Sequence, residues 1–287
     1  MFYFLSLLTG VLITVMVAIN GGLTGFYGVY SATVIIHIVG LTIITLVVLF
    51  KRENPFANRY SWFLYLGGAI GVMTTVSNNI AFGRISVSAL LALGLLGQSV
   101  TGLIIDQYGL FEMPKHPFTK HKLIGLILII GGIVSMIVDF ELVAVAVSFV
   151  AGVCIVMSRT FNAKLSDLTS VRVSSFYNYI VGLIVSIFVF LLLGRNEIIW
   201  AEFAFSPRWY IYLGGALGLS VVWILNIVVV KISAFYLTLL LFIGQVFSGV
   251  LIDVFLSGEI SSRNLIGGVL VAVGLSINLL LDRKDRG

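Results

Sequence analysis

Charge is scarce in this chain: Lys and Arg number 17 and Asp and Glu 12 among 287 residues, 10% in all. Hydrophobic residues make up 60%, and the mean hydropathy is +1.14. A soluble protein of that composition could not cover its surface with polar groups, and exposed apolar patches of such size drive association. Lipid is therefore the expected solvent.

Other absences narrow the reading further. The single cysteine, Cys154, excludes an internal disulfide and is expected to be a small packing residue. The opening stretch MFYFLSLLTGVLITVMVAIN has no basic n-region and no small-residue cleavage signature, so it reads as a retained first span. No phosphate loop, HExxH or GxSxG pattern occurs. His116 and His121 stand in a basic loop without the spacing of a metal site. The short connectors leave no room for a soluble catalytic or nucleotide-binding domain, so neither cofactor nor metal nor enzymatic activity is expected.

What is present is a series of apolar runs. A spanning helix needs about 17–25 mostly apolar residues, and ten runs qualify: 2–22, 31–50, 61–82, 86–106, 122–138, 142–160, 174–193, 208–230, 233–254 and 264–281. Their uniform apolarity excludes barrel strands, which alternate with a period of two. The expected fold class is all-α integral membrane. Of the 17 basic residues, only Arg84, Arg195, Arg208 and Arg263 fall on one side of this topology and 13 on the other. By the positive-inside rule both termini are expected in the cytoplasm of a multi-pass bacterial inner-membrane protein. The acidic residues divide evenly, so the net charge of +5 reflects a basic rim beside anionic headgroups rather than a nucleic-acid partner.

The chain also repeats itself. GQSVTGLIID from Gly97 returns as GQVFSGVLID from Gly244, and YLGGAIG from Tyr65 as YLGGALG from Tyr212, both at an offset of 147 residues. At an offset of 142, Asn20 meets Asn162, Gly40 meets Gly182 and Gly125 meets Gly267. The expected organisation is two five-span repeats, 1–139 and 140–287. Because five is odd, the second copy must start on the opposite side. Inverted repeats of this kind are the architecture of many secondary transporters, with substrate near the midplane between them.

The pattern GGxxGV, an asparagine, then GQ-x5-IID-x-YGLF and a basic connector before LIGLILIIGG resembles the YdcZ-like family of bacterial inner-membrane proteins, placed in the drug/metabolite transporter superfamily. The match is fuller in the first copy; the second departs after Asp253. The resemblance implies a small-molecule transporter or exporter in which two five-span units are fused. Small multidrug exporters of the wider superfamily carry a glutamate in their first span. Neither the first span here nor its counterpart has a carboxylate, which argues against a proton-coupled cation antiporter of that type.

Polar groups within the membrane are costly and are candidates for function. Gln98 lies about 18 Å into its span at 1.5 Å per residue, near the midplane of a ~30 Å core, and Gln245 has the corresponding depth. Either they join helices or they line a cavity. Gly94, Gln98, Gly102 and Asp106 share one helical face. Asn20, Asn79, Asn226, His37, Tyr179 and Trp223 complete the candidate substrate-binding set. Asp106 and Asp253 end their spans at opposite surfaces, where a carboxylate at a helix C-terminus wants a cation. The expected partners are Lys231 for Asp106 and Arg84 for Asp253, as clamps or alternating gates.

These features point to a secondary transporter of a small organic solute, by alternating access around Gln98 and Gln245. A neutral, zwitterionic or amphiphilic solute suits the absence of a mid-membrane charge, and protons or another coupling ion remain open. The partners expected are the lipid bilayer and that solute, with the chain a monomer or weak dimer. Two alternatives stand beside this: a lipid flippase or scramblase, and a non-transporting scaffold or sensor.

Overall fold

The computed structural model describes residues 1–112, 122–136, 141–197, 204–228, 231, 234–258 and 261–285. Ten α-helices follow one another: α1 (Phe2–Tyr27), α2 (Val29–Phe50), α3 (Leu66–Ala81), α4 (Val87–Tyr108), α5 (Lys122–Met136), α6 (Leu142–Leu168), α7 (Val171–Leu193), α8 (Gly214–Val228), α9 (Ala234–Ser257) and α10 (Ser262–Asp285). Among the described residues there is no strand, only an isolated bridge between Phe82 and Ile85. In lipid a backbone must satisfy its own hydrogen bonds, and helices do so within one segment.

Among the described residues there are ten helices, and six of them (α1, α2, α4, α6, α7 and α9) are long and apolar enough there to cross a membrane by themselves. Of the ten full spans expected, the described residues thus show six, with shorter apolar helices at 123–136, 209–225 and 262–278. Part of the shortening has a local cause. 3-10 turns, Trp62–Tyr65 and Trp209–Leu213, replace the first turns of α3 and α8 at equivalent places in the two sequence copies. A 3-10 turn rises about 2.0 Å per residue against 1.5 Å in an α-helix. Turn and helix together therefore still cover roughly the thickness of a ~30 Å core.

Helix ends are set by residues suited to them. Ser86 caps α4 by accepting the Ala89 N–H at 3.2 Å, and Ser170 caps α7 by accepting the Val173 N–H at 3.1 Å. One residue, Gly28 at φ +89°, turns α1 into α2, a conformation that other side chains rarely adopt.

The chain divides into two compact units. The first comprises Met1–Val15, Ala81–Val153 and Ile224–Gly287; the second comprises Met16–Ile80 and Cys154–Trp223. Each unit thus takes segments from both sequence copies, and α1 and α6 contribute to both.

In the first unit α5 and α10 pack antiparallel on a glycine seam: Gly125 meets Gly274 and Gly132 meets Gly267. A Cβ on Gly132 would stand 2.6 Å from the Gly267 carbonyl oxygen, so the seam admits no side chain. Close approach of this kind replaces the hydrophobic driving force that lipid removes. Beside it lies a core of Ala89, Leu93, Ile133, Met136, Phe242 and Val271, with Phe242 fully buried. In the second unit Ile44, Val48, Phe176, Tyr179 and Leu219 form the core between α2, α7 and α8.

Candidate functional site

Both glutamines of the repeated GQ pair stand at helix crossings within the first unit. Gly97 and Gly152 bring α4 onto α6, and Gly244 and Gly10 bring α9 onto α1. A Cβ on Gly97 would lie 3.2 Å from the Gly152 Cα, and one on Gly244 would lie 3.0 Å from the Gly10 Cα. These are equivalent contacts, made once by each copy on the other. The backbone N–H of Gln98 faces Gly152 and that of Gln245 faces Gly10. Beyond that the two differ. Gln98 is half-buried, its amide donating to the Gly94 carbonyl of its own helix at 3.4 Å. Gln245 is buried, and its backbone carbonyl accepts the Thr14 hydroxyl at 3.0 Å.

The second feature of this unit is Asp253, which is buried although it is a carboxylate. It accepts the backbone N–H of Val87 at 2.6 Å and of Ser88 at 3.0 Å, the Ser88 hydroxyl at 2.5 Å and the Asn264 amide at 3.3 Å. These are the first turn of α4, whose N–H groups have no partners within the helix, and an anion there also meets the positive end of the macrodipole. The expected Asp253–Arg84 pair is not formed. Arg84 is turned to Glu141, N···O 3.3 Å, and the helix N-terminus takes the place of the cation. Asp106 belongs to α4 and Lys231 is exposed, but the Asp106 side chain, and hence the pairing expected for it, lies outside the described residues. Around Asp253 opens a cleft of about 400 Å³, lined by Phe82, Arg84, Ile85, Met136, Leu256 and Asn264 among others.

In the second unit His37 and Tyr179 form another reciprocal crossing. The Tyr179 ring lies on Gly40 and the His37 ring on Gly182, their centroids 6.1 Å apart. Both are buried. The Tyr179 hydroxyl donates to the Gly215 carbonyl at 3.1 Å, and Nδ1 of His37 lies 2.7 Å from the Thr33 carbonyl. That carbonyl can only accept, so Nδ1 carries a proton. Asn79 donates to the Val29 carbonyl at 3.4 Å and the Thr33 hydroxyl at 3.2 Å, which makes it a joint between α3 and α2. Asn20 is buried with its Oδ1 against Gly214, as Asn162 Oδ1 lies against Gly67. The indole N–H of Trp223 is buried without an acceptor among the described residues. The Asn226 side chain lies outside the described residues.

The composition did not disclose a polar cluster on α6 and α7. Asn162 donates to Asn178 Oδ1 at 2.8 Å and to Ser158 Oγ at 3.3 Å, and the Ser158 hydroxyl donates to the Gly67 carbonyl at 2.7 Å. The first copy has Met16 and Ile36 where the second has Ser158 and Asn178, so the polarity is one-sided. Nor did the connectors disclose two further acidic latches. Glu197 accepts the backbone N–H groups of Tyr30 and Ser31 at 2.9 and 2.8 Å, capping α2. Glu53 accepts the Ser170 hydroxyl at 2.8 Å and the Arg172 Nε–H at 2.6 Å at the start of α7. The hydrogen bond from Arg172 holds the Glu53 carboxyl below the usual glutamate range. The signal was available: each acid lies in or beside a connector, and every helix N-terminus wants an anion.

Comparison with known proteins agrees with this architecture. A family model described as "Putative inner membrane exporter, YdcZ" matches residues 1–135 and 143–277. No curated protein matches the chain. One solved crystal structure is similar with a TM-score of 0.61 at 13% identity, covering 99% of this chain and 96% of the other. At that identity the likeness concerns the fold alone.

Proposed function

The chain belongs to the YdcZ-type family of inner membrane exporters, and from that premise we propose that it is a secondary transporter of a small organic solute. The two sequence copies act as inverted repeats, and access alternates as their helices exchange contacts. Gln98 and Gln245 touch the solute. Such repeats place substrate near the midplane, where each copy contributes the same element in opposite orientation.

One observation carries this reading: the reciprocity of the glycine crossings. Gly10 meets Gly244 and Gly152 meets Gly97, so the first helix of each copy rests on the fourth helix of the other, beside the repeated glutamine. In the proposed cycle the two equivalent glycine seams exchange roles, so that the outward and inward states make like contacts. Alternation needs such a bistable element.

The test is flux. Purified protein is screened for solutes that raise its thermal stability, and stabilising solutes are assayed in proteoliposomes with and without a pH gradient. The expected result is solute movement that falls at least tenfold in a Gln98→Leu, Gln245→Leu double variant with unchanged folding. No flux for any stabilising solute, together with unchanging accessibility of cysteines placed along α4 and α9 in a Cys154→Ala background, would overturn it. Movement of labelled phospholipid without solute would replace it with a lipid-translocating function.

A further inference from the structure

Helix α6 carries a cation into the membrane interior. In residue order Arg159 is the last but one residue of the apolar run 142–160, at its basic rim. In the fold α6 continues past it to Leu168, about 13 Å further at 1.5 Å per residue. Helix α7 gives an independent measure of depth. Asn162 donates to Asn178 at 2.8 Å, and Asn178 stands about 10 Å into α7, counted from Val171. Arg159 lies almost one turn beyond Asn162, away from the connector between α6 and α7, and therefore about 15 Å inside. That is the middle of a ~30 Å core. The absence of a mid-membrane charge, expected from spacing, is corrected by this one residue.

The Arg159 side chain is accessible, and it makes neither an ion pair nor a hydrogen bond among the described residues. It stands within the body of the protein, where neighbouring groups partly desolvate it. Its place on the helix agrees. Ser158 is turned to α3, its hydroxyl donating to the Gly67 carbonyl at 2.7 Å, and Asn162 is turned to α7. Three residues turn a helix by about 300°, so Arg159 sits about 60° around from Asn162 and flanks this polar seam. No acid lies within a turn of it on α6. Of the described acids in the second unit, Glu53 is held by Arg172 and Ser170, and Glu197 caps α2. Asp167 is about 12 Å further along α6, beyond Lys164. The equivalent residue of the first copy is Val17, 4% exposed, so packing at this place needs no cation. A charge at mid-depth without a partner in the protein is costly, and such residues mark the path of a solute or ion.

We propose that Arg159 binds the monoanionic head of an organic molecule with an apolar body, either the carboxylate of a free solute or the phosphodiester of an anionic phospholipid. The planar fork of a guanidinium donates two parallel hydrogen bonds to both. One anionic charge matches the one fixed charge, whereas a dianion would leave a charge unpaired at low dielectric. An ammonium would be repelled. Ile155 and Ala163, one turn before and one turn after Arg159 along the same face, are apolar and suit an apolar body. The inference names a solute class for the proposed transporter, and it rests on that reading only for what the binding is used for.

The experiment is calorimetric titration of the intact chain in a nonionic detergent with three probes that share one ring: 3-phenylpropionate, 3-phenylpropanol and 3-phenylpropylamine. The acid is expected to bind at least about tenfold more tightly than either of the others, the ratio that a charge-assisted hydrogen bond supplies. Arg159→Gln, which stays polar and loses the charge, is expected to bring the acid down to the level of the alcohol. The melting temperature of that variant without ligand should equal or exceed the native value, because an unpaired charge has been removed. Equal affinities across the three probes, or an unchanged acid affinity in Arg159→Gln, would overturn the proposal. So would a markedly lower melting temperature of unliganded Arg159→Gln, which would assign the arginine a structural partner instead. Repeating the titration in nanodiscs of phosphatidylcholine with and without phosphatidylglycerol separates the sources. Competition assigns the lipid headgroup, its absence the free acid, and either sustains the anion site. Acid binding with no flux of any solute would sink the transporter reading alone; flux of neutral or cationic solutes without acid binding would sink this one alone.

Discussion

The Asp253 carboxylate accepts the backbone N–H of Val87 at 2.6 Å, so a residue of the second sequence copy caps a helix of the first. Removing it should cost more than an ordinary cap. An N-cap is worth about 0.5–2 kcal/mol, and hydrogen bonds to a charged group about 1.5–3 kcal/mol. Asp253→Leu is expected to lower the melting temperature of the detergent-solubilised protein markedly. Asp253→Asn, which keeps one accepting oxygen, should fall in between. Equal melting of Asp253→Asn and the native protein would show that the charge adds nothing.

The same geometry separates two pairings that composition alone could not. A double-mutant cycle on Arg84 and Asp253 should give no coupling. The cycle on Arg84 and Glu141 should give a small one, below about 1 kcal/mol because both side chains are well exposed. Chemical denaturation of the four variants in each cycle measures both.

Glycine positions divide by what surrounds them. Gly152→Ala forces a methyl into the α4 backbone at Gly94. Overpacking of that kind costs about 1–3 kcal/mol. Gly102→Ala has nothing within 4 Å and should be neutral or slightly stabilising. The folded fraction by size-exclusion chromatography after a heat step distinguishes them, and equal loss in both would refute the crossing at Gly152.

Glu53 predicts a pH dependence. Its hydrogen bond from Arg172 lowers the folded-state pKa below the unfolded value, so the folded state holds the proton less tightly. The resulting stability is present above the ordinary glutamate range and is lost as the pH falls through the lowered value. The pair is partly exposed, with Arg172 40% and Glu53 22% accessible, so the effect is less than about 1 kcal/mol. Glu53→Gln should flatten this acid limb of the stability profile and leave stability at neutral pH slightly reduced. An unchanged acid limb in the variant would remove the pair from the account.

The asparagine cluster offers a test in the membrane itself. Asn162 and Asn178 share a 2.8 Å hydrogen bond, and such bonds between spans average about 0.6 kcal/mol with a maximum near 1.7 kcal/mol. A double-mutant cycle to leucine should return a coupling in that range. Zero coupling would mean that each amide finds another partner.

Much of this molecule was legible in residue order. Apolar runs of spanning length fixed an all-helical membrane chain, because lipid leaves the backbone few other ways to satisfy itself. The offsets of 147 and 142 residues pair Gly97 with Gly244, Asn20 with Asn162 and Gly40 with Gly182, and the fold places the members of each pair in equivalent contacts. Such features survive in one dimension because they depend on composition and spacing.

The partners of the charged and polar residues could not be read that way. Spacing put Asp253 on the same membrane side as Arg84, and charge then suggested a pair. Which donors reach a carboxylate depends on which helix N-terminus folds against it, and Val87 lies 166 residues away in sequence. The same holds for Asn264, whose vacant oxygen exists only once α10 is laid beside α9. Sequence determined that the chain is helical and apolar enough for lipid, because both follow from composition and run length. The tertiary structure decided which glycines touch, which acid caps which helix and where an acceptor stays empty, because those depend on distances that no local pattern encodes.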